Sequence, residues 1–135
     1  MNNGFVHNIV LLIPVAAYFR QLGADVRWEH PVSCNSFTGY VDLVVDFNGW
    51  RLACEAEMSS RRIDRDVVKA KAIGAAALGI VTPTGRVAQA CRRKLRRLEQ
   101  PGGLWISVLT PGGFRRWVED SLIRYSRSEL RVSTF

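Results

Sequence analysis

Cysteine is scarce in this chain. Cys34, Cys54 and Cys91 are widely spaced and form no Cys-x-x-Cys pair. That excludes a disulfide scaffold and a cysteine-based zinc site. Cys54 and Cys91 sit among apolar residues and read as buried thiols, so a reducing cytoplasm is the expected setting. Long hydrophobic runs are missing too. The densest, Ile9 to Phe19, is interrupted by Pro14 and falls short of the roughly 20 residues a bilayer span needs. It lacks the basic start and small-residue cleavage pattern of a secretory leader. A soluble protein without a membrane partner is therefore expected. There is no internal repeat and no low-complexity tract. At 47% hydrophobic, the chain is too apolar to be a disordered basic tail. Its 135 residues suit one domain spanning 1–135 rather than two.

Charge is plentiful but unevenly placed. The formal net charge is +7. Residues 1–58 hold three basic and six acidic side chains, whereas residues 59–135 hold sixteen basic and six acidic ones. An acidic half joined to a strongly basic one suggests a metal or catalytic centre that faces a polyanion. A plainly solvated basic surface is the simpler alternative.

The hydrophobic pattern divides the chain into elements. Residues 5–22 read as a mostly apolar helix, kinked at Pro14 and stopped at Gly23. Three strand-like segments follow, at 25–32, 40–47 and 50–57. Asn48-Gly49 separates the last two, and Asn-Gly is the strongest short-range signal for a hairpin, because a type I′ turn needs positive φ at both central residues. Ile63, Val67, Ala70, Gly74 and Ala77 then recur at helical spacing over 60–77. A short strand at 78–82, a helix at 86–98, a strand at 104–109 and a helix at 114–125 complete the order, with 126–135 read as a frayed tail. Antiparallel strands followed by βαβ units predict an α/β fold: a mixed central sheet, antiparallel hairpin plus βαβ, with helices on both faces.

The hairpin turn also sets a register. If Phe47 pairs with Trp50, then Asp42 lies opposite Glu55 and Tyr40 opposite Glu57. Val44–Ala53 and Asp46–Arg51 share the same face. Asp42, Glu55 and Glu57 would then converge. Like charges opposite one another destabilise a sheet, and a divalent cation resolves the conflict, since Mg²⁺ takes oxygen ligands. An exposed acidic face neutralised by arginines is the alternative, and a one-residue slip would undo the arrangement. His30 and Tyr40 are further candidates to line the site.

The cations follow on two helices. Arg61, Arg62, Arg65, Lys69 and Lys71 cluster in 60–77, with Arg62, Asp66 and Lys69 on one flank. From there Lys69 can reach back toward the carboxylates and stabilise charge on a phosphate. Arg92, Arg93, Arg96 and Arg97 lie opposite the apolar stripe of the 86–98 helix, where arginines suit salt-dependent phosphate binding. Arg115, Arg116, Arg124, Arg127 and Arg131 would extend that surface.

The stretch Gly39-Tyr-Val-Asp-Leu-Val-Val-Asp-Phe-Asn-Gly-Trp-Arg-Leu-Ala-Cys-Glu-Ala-Glu57 resembles the active-site strands of the PD-(D/E)xK nuclease superfamily, whose restriction-endonuclease-like fold also fits the order of elements over residues 5–98. Asp42 matches the metal-binding aspartate and Glu55 the (D/E). Glu57 stands where the lysine normally does, and Val41 stands where the proline would. Some members carry glutamate there, and others draw the lysine from the following helix, where Lys69 sits. Glu29 resembles an upstream acidic residue of some members. The Glu-Ala-Glu stretch with its basic helix also looks like small nuclease-like modules of mobile elements.

The resemblance implies a metal-dependent DNA endonuclease. Asp42, Glu55, Glu57 and, more weakly, Glu29 would hold Mg²⁺ or Mn²⁺, with the Ala56 carbonyl as a further ligand. Lys69 would steady the developing charge, and Arg61, Arg62, Arg65, Arg92, Arg93, Arg96 and Arg97 would meet DNA. The alternatives are a catalytically degenerate module that binds nucleic acid or mediates assembly, and a protein-interaction domain. A homodimer is left open, since the first helix and the tail ending at Phe135 suit an interface and a core equally.

Overall fold

Each expected strand and helix is present in the computed structural model, which describes the backbone of residues 3–34, 38–98 and 102–133 and, of these, the side chains between 10 and 125. Helix α1 (Asn3–Gln21) leads into strands β1 (Asp25–Ser33), β2 (Thr38–Phe47) and β3 (Trp50–Ala56). Helix α2 (Ile63–Ala72), strand β4 (Ala77–Val81), helix α3 (Gly85–Arg97) and strand β5 (Trp105–Leu109) follow. A 3-10 turn (Pro111–Gly113) then opens helix α4 (Phe114–Ser133).

The strands form one five-stranded sheet in the order β1-β2-β3-β4-β5. β1, β2 and β3 pair antiparallel, whereas β3–β4 and β4–β5 are parallel. The turn behaves as its residues require: Asn48 and Gly49 take φ of 53° and 77°, the left-handed values of a type I′ hairpin. The register follows, with Phe47 opposite Trp50, Asp46 opposite Arg51 and Leu43 opposite Cys54.

Two crossovers run β3–α2–β4 and β4–α3–β5 in the same direction along the sheet. Right-handed crossovers of that kind put both helices on one face. Ile63, Val67 and Ala70 of α2 pack there with Cys91 and Leu95 of α3 over Val44, Ala53, Leu78 and Ile80. The opposite face carries Leu43, Val45, Leu52 and Cys54 beneath α1 and α4, with Leu12, Val15, Phe19, Trp117, Val118 and Tyr125. Alternation along β2 and β3 thus serves two cores. Cys54 and Cys91 are buried free thiols, as read from their neighbours.

Most element ends fall within three residues of expectation, and two depart further. Helix α2 is shorter than 60–77 and stops at Ala72, because Gly74 at φ 73° turns the chain toward β4. Helix α4 continues to Ser133, so residues 126–133 are helical rather than a frayed tail. Phe135 and residues 35–37 lie outside the described residues. Thr84 caps α3, accepting a hydrogen bond from the Val87 N–H at 3.3 Å. No helix among the described residues is long and apolar enough to cross a membrane.

Candidate functional site

The sheet ladder is interrupted along one row. In β1–β2 the register passes from Trp28–Leu43 to His30–Val41, which leaves Glu29 opposite Asp42. In β2–β3 the pairing ends at Leu43–Cys54, one residue before Asp42 and Glu55. Glu29 takes φ 49°, a left-handed conformation that costs a non-glycine residue about 1–2 kcal/mol. Strain of this kind concentrates at functional sites.

Side chains take over where the ladder stops. The Asp42 N–H donates to Oε1 of Glu55 at 3.0 Å. The Ala56 N–H donates to Oδ2 of Asp42 at 3.0 Å. Each carboxylate is therefore pinned by the other strand's backbone, which fixes its direction. β3 stays anchored on its other edge, where the Glu57 N–H donates to the Val81 carbonyl at 2.9 Å.

Helix α2 brings the cation. Lys69 places Nζ 2.7 Å from Oε2 of Glu55 and 3.8 Å from Oδ1 of Asp66. It also donates to the Tyr40 carbonyl at 2.8 Å. Three neighbouring carboxylates were expected to demand a divalent cation. In this structure the ammonium of Lys69 already offsets part of that repulsion, from the helix that sequence spacing pointed to.

Asp66 is the site residue that sequence reasoning missed as a candidate. It is 1% exposed, as is Glu55. It shares the apolar stripe of α2 with Ile63, Val67 and Ala70, a position where a charge is expensive unless paired. A carboxylate at i+3 from Ile63 and i+4 before Ala70 was the available signal. Oδ2 of Asp66 is buried with no hydrogen-bond donor aligned on it, whereas Oε2 of Glu55 is paired with the Lys69 ammonium at 2.7 Å.

Electrostatics follow burial. Desolvation pushes Glu55 up to about 7, and the charge of Asp42 adds to it while Lys69 opposes it. Desolvation also raises Asp42, against the Ala56 hydrogen bond and Lys69. Asp66 is held well above the ordinary carboxylate range, by burial first and then by Glu57 and Glu55. For Lys69, burial works against the charge, but Glu55, Asp66 and Asp42 outweigh it and raise the pKa. Groups shifted this way in a cleft mark a functional site.

These residues line a cleft of about 270 Å³ together with Glu29, Thr38, Gly39, Tyr40, Ala56, Glu57, Arg62 and Arg65. Here the structure divides the expected residues. Asp42, Glu55, Glu57, Lys69, Glu29, Arg62, Arg65 and Tyr40 are together at the cleft, while Arg61 and His30 do not line it. Arg92, Arg93, Arg96 and Arg97 are on α3, outside the cleft but on the same face of the sheet. Lys94 of α3 turns inward to the Arg61 carbonyl at 2.9 Å. Arg115 and Arg124 do not extend this surface. They lie on α4, across the sheet, with their guanidinium groups 5.8 Å from the Tyr18 ring centre and 4.5 Å from that of Trp105. The Arg127 and Arg131 side chains fall outside those described.

The chain matches no family model, no curated protein and no solved structure. Chemistry must therefore be read from the site itself. The donors are hard oxygens suited to Mg²⁺ or Mn²⁺, and the buried, unpaired Oδ2 of Asp66 suits a cationic partner. No three or more His, Cys, Asp or Glu side chains among the described residues are grouped to hold a metal ion. The expected triple convergence of Asp42, Glu55 and Glu57 is thus not formed as a single ligand set. Glu57 follows the end of β3 and interacts with Asp66 of α2, while Asp42 and Glu55 interact with each other. Mg²⁺ commonly uses one or two carboxylates and keeps several waters, so pairs of this kind suit it.

Proposed function

We propose that the protein is a metal-dependent DNA endonuclease-like phosphodiesterase of PD-(D/E)xK type, with a restriction-endonuclease-like arrangement of its sheet. The interrupted row carries this reading: Asp42 and Glu55 are aimed by opposing backbone N–H groups, with Lys69 at 2.7 Å from Glu55. A structural sheet gains nothing from a buried and a half-buried carboxylate side by side in its centre.

Asp42 and Glu55 would hold Mg²⁺ or Mn²⁺, with the Ala56 carbonyl and Glu57 as further candidates. A divalent cation supplies Lewis-acid polarisation of a phosphate and activation of water. The chain supplies the rest. Arg62 and Arg65 line the cleft and draw a phosphate toward it. Lys69 offers a single mobile ammonium to the charge that builds on the phosphate oxygens. The exposed arginines of α3, of which Arg92 also donates to the Val108 carbonyl at 3.1 Å, hold flanking backbone in a sequence-tolerant way.

Purified protein incubated with plasmid DNA and Mg²⁺ or Mn²⁺ tests this. Cleavage is expected, lost on chelation, and lowered at least about 100-fold by Asp42→Ala or Glu55→Ala. A second reading rests on the Lys69–Glu55 ion pair, which already compensates the site in part, and on Glu57 at the usual lysine position. It makes the chain a nuclease-fold module that binds nucleic acid without cutting. Intact plasmid with a salt-sensitive gel shift decides for that reading.

A further inference from the structure

Lys69 occupies a place that a cation would want. Its ammonium lies between two carboxylates, 2.7 Å from Oε2 of Glu55 and 3.8 Å from Oδ1 of Asp66. Both carboxylates are 1% exposed. Oδ2 of Asp66 is also buried with no hydrogen bond. Lys69 has a third contact, with the Tyr40 carbonyl at 2.8 Å, on the strand edge where the cleft opens. One end of its tether is fixed on α2, and the rest is a flexible four-carbon stem.

We propose that Glu55 and Asp66 form a divalent-cation site that Lys69 fills as an internal counterion, so that the metal and the ammonium compete for one position. The inference rests on the metal-dependent reading above and adds Asp66 to it as a ligand. A lone ammonium leaves Oδ2 of Asp66 without a hydrogen bond, whereas a cation of charge +2 can bind a carboxylate oxygen directly and carry its own waters to others. Exchange also gives Lys69 its role. Released from Glu55, the ammonium stays in the cleft and turns toward the phosphate. Without the cation it keeps two buried carboxylates from repelling each other. The protein can therefore hold its site in order before any metal arrives.

Mn²⁺ titration by electron paramagnetic resonance, on wild type, Lys69→Met, Asp66→Asn, Asp42→Asn and Lys69→Met with Asp66→Asn, tests the exchange. Lys69→Met is expected to bind Mn²⁺ at least about tenfold tighter than wild type, because a neighbouring unit positive charge is gone. Adding Asp66→Asn to it is expected to remove that gain. Unchanged or weaker binding by Lys69→Met overturns the proposal. So does a double variant that binds as Lys69→Met does.

Should Lys69→Met fail to fold, wild type alone still answers. On titration with Mg²⁺, the ¹⁵Nζ resonance of Lys69 is expected to move to that of a solvent-exposed lysine. A fixed resonance while Mg²⁺ binds overturns the exchange. Loss of Mn²⁺ binding in Asp42→Asn, with no change in Asp66→Asn, sinks this inference and leaves the metal-dependent reading standing. No Mn²⁺ binding in any variant sinks both.

Discussion

The two faces of the sheet are made from the same strands and have opposite chemistry. Under α1 and α4, β2 and β3 present Leu43, Val45, Leu52 and Cys54, each 0% exposed, to Phe19, Trp117 and Tyr125. Under α2 and α3, the intervening residues are Asp42, Val44, Ala53 and Glu55. One face is an aromatic and aliphatic core with edge-on ring packing, such as Phe19 against Trp117 at 6.0 Å. The other is half core and half charged cleft. Backbone geometry is shared, so side-chain parity alone separates an apolar face from one that carries a charged cleft. The apolar face provides the stability against which the buried Glu55 and the half-buried Asp42 can be held.

The largest expected effect breaks the apolar face. Leu43→Ala is expected to cost about 2–5 kcal/mol in urea unfolding, from reduced burial and the cavity left behind. It leaves Asp42 and Glu55 chemically intact. A change equal in size in the core under α2 and α3, from Val44→Ala at 0% exposure, would mean that the two faces share the load. Next comes Gly79 of β4, where an added Cβ would stand 2.8 Å from the Trp117 ring. Gly79→Ala is expected to cost about 1–3 kcal/mol by overpacking. Stability within error of wild type would place the indole elsewhere.

The cleft is expected to reveal itself through pH. Glu55 and Asp42 have pKa values raised in the folded protein, so the native state binds more protons than the unfolded one between the ordinary carboxylate range and about 7 for Glu55. Their contribution is fully present below the unfolded pKa and is lost as pH rises through the folded one. With metal chelated, the melting temperature should fall from about pH 4.5 toward about pH 7.5 on this account. Glu55→Gln should flatten that slope. An unchanged slope would show that Glu55 does not titrate as its burial requires. The smallest effect belongs to the exposed arginines of α3. Replacing Arg92, Arg93, Arg96 or Arg97 singly by Gln should weaken DNA binding for all sequences alike. The salt slope should fall by about 1 for each phosphate that is no longer neutralised. A slope unchanged in all four variants would take α3 out of the interface.

Legibility tracked the range of the interactions. The Asn48-Gly49 turn was readable because two residues decide it, and the β2–β3 register followed from it down to Leu43 opposite Cys54. The shared face of Asp42 and Glu55 was readable for the same reason. The end of α2 was misplaced because Gly74 and Ala77 fit the helical spacing by chance, while Gly74 turns the chain. Asp66 was passed over because one acidic residue on a basic helix looks like an ordinary flank. The α4 arginines were grouped with α3 because charge in a sequence carries no record of which side of a sheet it reaches.

By itself, then, the sequence determined the strands, the hairpin register and the parity that puts Asp42 and Glu55 on one side. These depend on dihedral preferences and on alternation, which act over a few residues. Only the tertiary structure decided that Glu29 would adopt φ 49° opposite Asp42, that Lys69 would come within 2.7 Å of Glu55, and that Asp66 would be buried beside them. Those outcomes depend on where α2 packs across β1, β2 and β3, and packing is settled by burial between segments far apart in the chain.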